Sequence, residues 1–331
     1  MDTKSFKVSV IIPNWNGRNL IEKCLNSIFQ QTYQNFEVIV IDSASKDNSV
    51  NFIKENYPQV NLIQLFKDKG PTYALNEGIK IATGDIFLFL NNDVFLKKDT
   101  MEILVKEILM DKNAVISPIE LDWEGNFRRA GGPFYLPGMF LLKPFFKPIK
   151  EPFHPLMACC MCFAEIIKEN PLNTNLIMYE ELEWAWRLHL KKIKVKIIPN
   201  AYYFHKIEAT KKRGSPQQIF LYSRLMVAQC YICFKSLSLI LLSPFLFLYY
   251  LKLLAFVFYT FRLKSVPFIL RGLLDFKNNR KIFMQNREHI QKERLIGDKE
   301  IIKRMLGSYQ FKKESIKKFK NLKINLDVES I

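Results

Sequence analysis

The sequence predicts an α/β fold: a Rossmann-like, mostly parallel sheet between helices, followed by a basic and apolar helical region. Three observations carry this. Apolar runs of about five residues recur between helix-period segments, as strands buried on both faces do. Strand and helix alternate with short loops, the pattern of a doubly wound sheet with right-handed crossovers. Charge divides the chain as well. The 331 residues carry 49 Lys+Arg against 32 Asp+Glu, and 25 against 9 of these lie from Ala201 onward, a net of +16 out of +17. The expected division is an α/β domain over 1–210 and a helical region over 211–331. With 49% hydrophobic residues and 28 Phe, disorder is excluded.

Lys7 to Ile12 reads as a strand stopped by Pro13, with the polar loop Asn14-Trp15-Asn16-Gly17 after it. A helix is expected from about Asn19, where Leu20, Ile21, Cys24, Leu25 and Ile28 recur at helical spacing. Phe36 to Ile41 is a second strand, running into Asp42-Ser43-Ala44-Ser45-Lys46-Asp47. Asp47 or Ser49 caps a helix to about Asn56, Val60 to Leu65 is a third strand, and Tyr73 to Ala82 a third helix. Ile86 to Leu90 is unbroken and apolar, then ends in Asn91-Asn92-Asp93. In open α/β sheets ligands sit at the C-terminal ends of central strands. An acid on such a rigid end is placed to hold a divalent cation against phosphate, although the same three residues also suit a plain turn. Topology gathers Pro13–Asn16, Asp42–Ser45 and Asn91–Asp93 at one sheet edge. No Gly-x-Gly-x-x-Gly or Walker-type loop occurs among them, which leaves phosphate charge to a metal.

A helix follows near Thr100 to Met110 and a strand near Ala114 to Ser117. Asp122 to Pro155 then loses regularity, with Gly131-Gly132-Pro133 and Leu136-Pro137-Gly138, as functional loops do. Ala158 to Ile167 returns to strand and helix. In Met178 to Arg187, Glu180, Glu181 and Glu183 crowd one turn beside Tyr179, Trp184 and Trp186. Three acids suit a solvated helix start; equally, one of them can point into a cleft. His205 lies among aromatics, a setting shared by buried structural imidazoles and ligands.

Taken together these pieces resemble the family 2 glycosyltransferases, built on the A-type nucleotide-sugar-binding fold. The matching residues are Val10-Ile11-Ile12-Pro13-Asn14-Trp15-Asn16-Gly17, Val40 to Asp47, Lys69-Gly70 with Ala74 and Asn76, Leu90-Asn91-Asn92-Asp93, Glu180 to Glu183 with Arg187, and His205. They cover about 7–210, and the flavour is that of rhamnosyltransferase-like enzymes of cell-surface polysaccharide synthesis. The resemblance implies transfer from a nucleoside-diphosphate sugar to a hydroxyl of a glycan or polyprenyl-linked acceptor, with inversion. It implies Trp15 stacking on the base, Asp42 on its edge, and Pro13, Asn14, Ser43, Lys69, Asn76 and Asn92 completing the donor pocket. Asp93 and His205 would hold Mg²⁺ or Mn²⁺, Glu181 would be the base, and Glu180, Glu183 and Arg187 would lie on the acceptor side. The chain departs from the family where Asn91 stands for the first acid of Asp-x-Asp and Glu181 for the usual Asp. A catalytically silent member, acting as a sugar-binding scaffold, is the alternative.

Leu237 to Phe261 is long enough to span a bilayer and carries one charge, Lys252. Ser243-Pro244 and Lys252 suggest two shorter pieces lying in the interface. Lys211, Lys212, Arg213, Arg262, Lys264 and Arg271 would bind anionic headgroups of the cytoplasmic leaflet, with Lys312-Lys313 and Lys317-Lys318 as a solvated basic face. Internal burial or a homo-oligomer would hide the same apolar residues. Nucleic-acid binding is disfavoured because the charge sits amid Leu, Phe and Tyr. The six Cys keep apolar company, as free thiols do. Cys230-x-x-Cys233 lacks a matching zinc half-site, and with the polar Met1–Lys7 start this favours the cytoplasm.

Overall fold

The computed structural model describes residues 5–134, 136, 139–145, 147–174, 180–206, 215–260 and 263–324. Strands β1 (Val8–Asn14), β2 (Phe36–Asp42), β3 (Asn61–Gln64) and β4 (Ile86–Leu90) pair in parallel in the order β3-β2-β1-β4. Helices α1 (Arg18–Phe29), α2 (Ser49–Asn56) and α3 (Pro71–Ile81) connect them. Side chains alternate across the sheet with the two-residue period of a strand. Ile86, Leu88 and Leu90 of β4 enter one core with Ile21, Leu25 and Ile53. Phe87 and Phe89 enter the other, with Leu75 and Ile79 of α3. All five are buried, so this strand anchors both layers.

Beyond β4 the simple parallel pattern fails. β5 (Val94–Leu96) follows directly, then α4 (Thr100–Met110), β6 (Ala114–Leu121), the short β7 (Phe127–Arg129), β8 (Cys159–Phe163), α5 (Ala164–Glu169), α6 (Glu180–Leu190) and β9 (Lys194–His205). β8 runs antiparallel between β4 and β6, β9 is parallel to β6, and β5 lies antiparallel on the end of β9. The expected doubly wound sheet is thus a mixed one. The strand expected to stop at Ser117 reaches Leu121, because the register shifts between Pro118 and Ile119. A proline that cannot donate to the ladder is tolerated at such a bulge.

The C-terminal helices are α7 (Pro216–Cys233), α8 (Ser236–Tyr259), α9 (Val266–Asn278), α10 (Arg280–Glu293) and α11 (Asp298–Phe319). The two short interfacial pieces expected around Ser243-Pro244 are instead one helix. Pro244 orphans the carbonyl of Ile240, and the Ser243 hydroxyl donates to that oxygen at 2.7 Å. Of α8 only Leu242, Leu253 and Val257 are buried, while Leu237, Ile240, Leu241, Phe247 and Phe258 are exposed. Lys211, Lys212, Arg213 and Arg262 lie outside the described residues.

Candidate functional site

The C-terminal ends of β1, β2 and β4 meet in one hydrogen-bonded group. Asn14 and Asp42 are opposite each other in the ladder, and the Asn14 amide donates to Asp42 at 2.8 Å. The backbone N–H of Ser45 donates to the other Asp42 oxygen at 2.8 Å, and Asn92 donates to Asn14 Oδ1 at 2.8 Å. Gly17 is required beside this last bond. A Cβ there would lie 2.1 Å from Asn92 Nδ2 and 2.3 Å from Asn14 Oδ1. Asn16 and Ala44 adopt left-handed backbone at φ 49° and 58°, a cost that non-glycine residues bear mainly where surroundings enforce it. Trp15 stands out of this cluster, half exposed, and Pro13 is partly so. Asp42 and Ser43 are buried, so Asp42 organises the loops as well as facing the edge.

A second polar group lies where β5 meets β9. Pairing of Val94 with His205 brings Asp93 beside the imidazole, with His205 Nε2 at 3.2 Å from Asp93 Oδ1. His205 Nδ1 is 3.3 Å from Glu120, a fully buried carboxylate in β6. Glu120 also accepts from Tyr203 Oη and Arg129 Nε, each at 2.7 Å. Arg128 approaches it at 3.3 Å. Burial opposes ionisation of Glu120, but His205, Arg129 and Tyr203 outweigh it and hold the pKa down at about 2. His205 is also buried, which alone would depress its pKa; Asp93 and Glu120 lift it to about 9.

A cavity of about 210 Å³ opens beside this pair, walled by Asn91, Arg129, His154, Glu181 and His205. Glu181, half-buried in the first turn of α6, lines it as well. Burial raises its pKa, opposed by its own backbone N–H and by the charge of Arg129. His154 is neutral, its pKa lowered to about 4 by burial, and its Nδ1 hydrogen bonds Pro155 O at 2.9 Å. That leaves Nε2 unprotonated.

Other expected site residues are engaged elsewhere. Asn76 donates to Leu172 O at 2.8 Å and accepts from Leu172 N at 3.2 Å, so its amide pins a loop rather than facing a donor. Glu183 is buried and takes two bonds from Arg187, at 2.8 and 2.9 Å, while Arg187 also donates to Pro171 O. This pair fastens α6 to the preceding turn and lines a different cavity from Glu181. Lys69 is exposed over the Tyr73 ring at 4.1 Å. Tyr179 and the Glu180 side chain lie outside the described residues. Glu120 and Arg129 went unnoticed in the sequence, and His154 had nothing there to recommend it. The available signal for Glu120 was a carboxylate inside an apolar strand, which needs partners to be buried.

The sequence profile described as Glycosyl transferase family 2 matches residues 9–170. Residues 9–170 are thus a glycosyl transferase family 2 domain. An uncharacterised glycosyltransferase of Escherichia coli strain K12, YibD, is 35% identical over 128 residues, 38% of this chain and 36% of that protein. The chain thus spans well under half the length of the curated relatives it matches. Among solved structures, Staphylococcus aureus TarS residues 1–349 in complex with UDP has a TM-score of 0.53 at 17% identity, covering 94% of this chain and 91% of that one. GalNAc-T7 with UDP, GalNAc and Mn²⁺ has a TM-score of 0.55 at 16% identity, covering 67% and 48%. These share the A-type glycosyltransferase fold with this chain.

The family resemblance implies a divalent cation at this edge. No group of three or more His, Cys, Asp or Glu arranged for a metal occurs among the described residues. Two protein ligands suffice, however, where a diphosphate supplies others. Asp93 Oδ1 is buried and receives no hydrogen bond, and His205 Nε2 is its polar neighbour at 3.2 Å. Neighbouring ligands of an octahedral Mg²⁺ bound at about 2.1 Å are about 3 Å apart. The field that favours a proton on His205 also favours a cation, and Glu120 on Nδ1 is the carboxylate partner that ligating imidazoles usually have. The pair fits.

Proposed function

We propose that the chain is an inverting, metal-dependent glycosyltransferase that moves a sugar from a nucleoside diphosphate to an acceptor hydroxyl. The observation that carries this is Glu181 and His205 on one cavity, with Asp93 against His205 at the ends of β4 and β9. Trp15 offers its exposed face to the nucleobase. Pro13, Asn14, Asp42, Ser43 and Asn92 shape the donor cradle, with Lys69 at its rim. UDP in the TarS and GalNAc-T7 structures supports a nucleoside diphosphate as the donor.

Asp93 and His205 would hold Mg²⁺ or Mn²⁺, and such an ion would supply Lewis-acid neutralisation of the leaving diphosphate. Glu181 accepts the proton of the acceptor hydroxyl through its carboxylate. The freed oxygen forms its bond to the anomeric carbon as the bond from that carbon to the phosphate oxygen breaks. Attack from the face opposite the leaving group inverts the configuration. The raised pKa of Glu181 makes it a stronger base than an ordinary glutamate, and the charge of Arg129 favours its ionised form.

Helix α8 supports membrane association. An 18-residue window within its 24 residues has a mean hydropathy of 2.0, and its outward face is apolar. At about 1.5 Å per residue it is roughly 36 Å long, enough to cross a hydrocarbon core of about 30 Å. Lys252, Lys264 and Arg271 are placed for anionic headgroups, and a polyprenyl-linked acceptor in the cytoplasmic leaflet suits such a surface.

The test is turnover of a panel of UDP-, dTDP- and GDP-sugars by the full chain, with lipid-linked glycan extract, in Mn²⁺ or EDTA. Transfer that needs the metal and is lost in Asp93→Ala supports the reading. Equal transfer in EDTA would refute the metal, and nucleotide binding without turnover would favour a silent scaffold.

A further inference from the structure

A second cavity, of about 330 Å³, adjoins the first and shares Arg129 and His154 with it. Arg128, Arg129 and Gly131 bound it on one side, Lys312 and Ser315 of α11 on the other. Its charge is one-sided. Three cations face it, and the two arginines share a single counter-charge, the buried carboxylate of Glu120. Both arginines spend Nε on Glu120, and no other ion pair of theirs occurs among the described residues. About a third of the Arg128 side chain and nearly half of Arg129 remain exposed. Lys312 is exposed and has no ion-pair partner among the described residues.

The arrangement is built rather than incidental. α11 is fixed to the irregular segment at several points. Phe134 N–H donates to Ser308 Oγ at 3.2 Å, Ile149 N–H to Lys303 O at 3.1 Å, and Phe127 N–H to Leu322 O at 3.1 Å. The Phe127 and Phe319 rings pack 5.6 Å apart. Lys312 lies between these anchors. On the opposite wall Gly131 takes φ +68°, and a Cβ on Gly132 would overlap the His154 ring at 1.7 Å. The two glycines therefore let the chain close against His154 where the cavities meet.

We infer that this cavity binds a phosphate or diphosphate group of the acceptor, with Arg128, Arg129 and Lys312 as its cationic partners. Guanidinium forks match phosphate oxygens, and an ammonium adds a point charge. A phosphate held here would set its sugar in the first cavity, beside Glu181. As an acceptor subsite the assignment rests on the transferase reading; as a phosphate site it stands without it. It also gives one lysine of the basic tail a place in substrate binding, instead of on a solvated face.

Binding is measured by calorimetry on the full chain with farnesyl phosphate, farnesol and inorganic phosphate, in EDTA to disable the donor metal. Wild type is expected to bind farnesyl phosphate and not farnesol. Lys312→Glu and Arg128→Gln should each weaken it at least about fivefold, and Lys312→Arg should restore it to within about twofold. Equal affinity for inorganic phosphate would identify the phosphate alone as the determinant; preference for farnesyl phosphate would identify a lipid-borne one. Glu181→Gln should leave this binding intact, which separates it from failure of the transferase reading. Unchanged affinity in both charge variants, equal binding of farnesol, or no binding by wild type would overturn the assignment.

Discussion

The two polar neighbourhoods at the sheet edge treat their hydrogen-bonding groups in opposite ways. Around Asn14, Asp42 and Asn92, buried donors and acceptors satisfy one another within the chain. Around Asp93, Glu120 and His205, charged groups approach closely, yet Asp93 Oδ1, Glu120 Oε1 and His205 Nδ1 lack well-formed hydrogen bonds. A saturated network fixes loop shape and needs no ligand. An unsaturated group of buried charges is costly until something completes it, which supports the proposed cation site at this end.

Substitutions should divide accordingly. The largest stability effect is expected at Asp42. Asp42→Ala strands the Asn14 amide and the Ser45 N–H in a buried place, at about 2–4 kcal/mol in denaturant unfolding. If Asp42→Ala unfolds like wild type while Asp93→Ala is severely destabilised, the contrast is wrong. Next is Glu120→Gln, which should keep the fold while Mn²⁺ affinity falls about 10–100-fold, read by calorimetry with nucleotide present. Loss of stability without loss of metal affinity would make Glu120 a structural counter-ion instead.

A smaller effect concerns pH. As the proposed base, Glu181 must be ionised to take a proton, and burial raises its pKa. Turnover should therefore fall on the acid side at a pH above that of an ordinary glutamate. Arg129 favours the ionised form, so Arg129→Gln should move this limb further up in pH–rate profiles; a downward move would contradict the assigned field. Smallest is Asn76→Ala, expected to cost about 1 kcal/mol through its two bonds to Leu172, with kcat unchanged.

The same contrast explains what was legible in the sequence. β1, β2, β4 and α4 were readable because periodicity and turn residues are local signals, and Thr100–Met110 agrees at both ends. Asp93 was marked by its place at the end of a central strand, whereas its pairing with His205 came only from the family resemblance, since the two lie 112 positions apart and strand pairing joins them. β8 was expected as a strand, but its antiparallel direction is set by a long connection without a local signature. Glu120 stayed hidden because the expected strand stopped near Ser117; the bulge that carries it past Pro118 is a tertiary feature. Asn76, Glu183 and Arg187 carry the residue types of a binding site, yet their partners are loop carbonyls and each other. The continuity of α8 turned on one hydroxyl, Ser243, placed to serve the carbonyl that Pro244 leaves bare.

The most direct measurement compares wild type with Glu181→Gln for both donor binding and turnover. Glutamine keeps the shape of the side chain and cannot take the proton. Nucleotide with Mn²⁺ should bind within about twofold of wild type, while kcat falls by about 10²–10⁴. Equal turnover in the two proteins would contradict the account, and place the base elsewhere on the cavity wall.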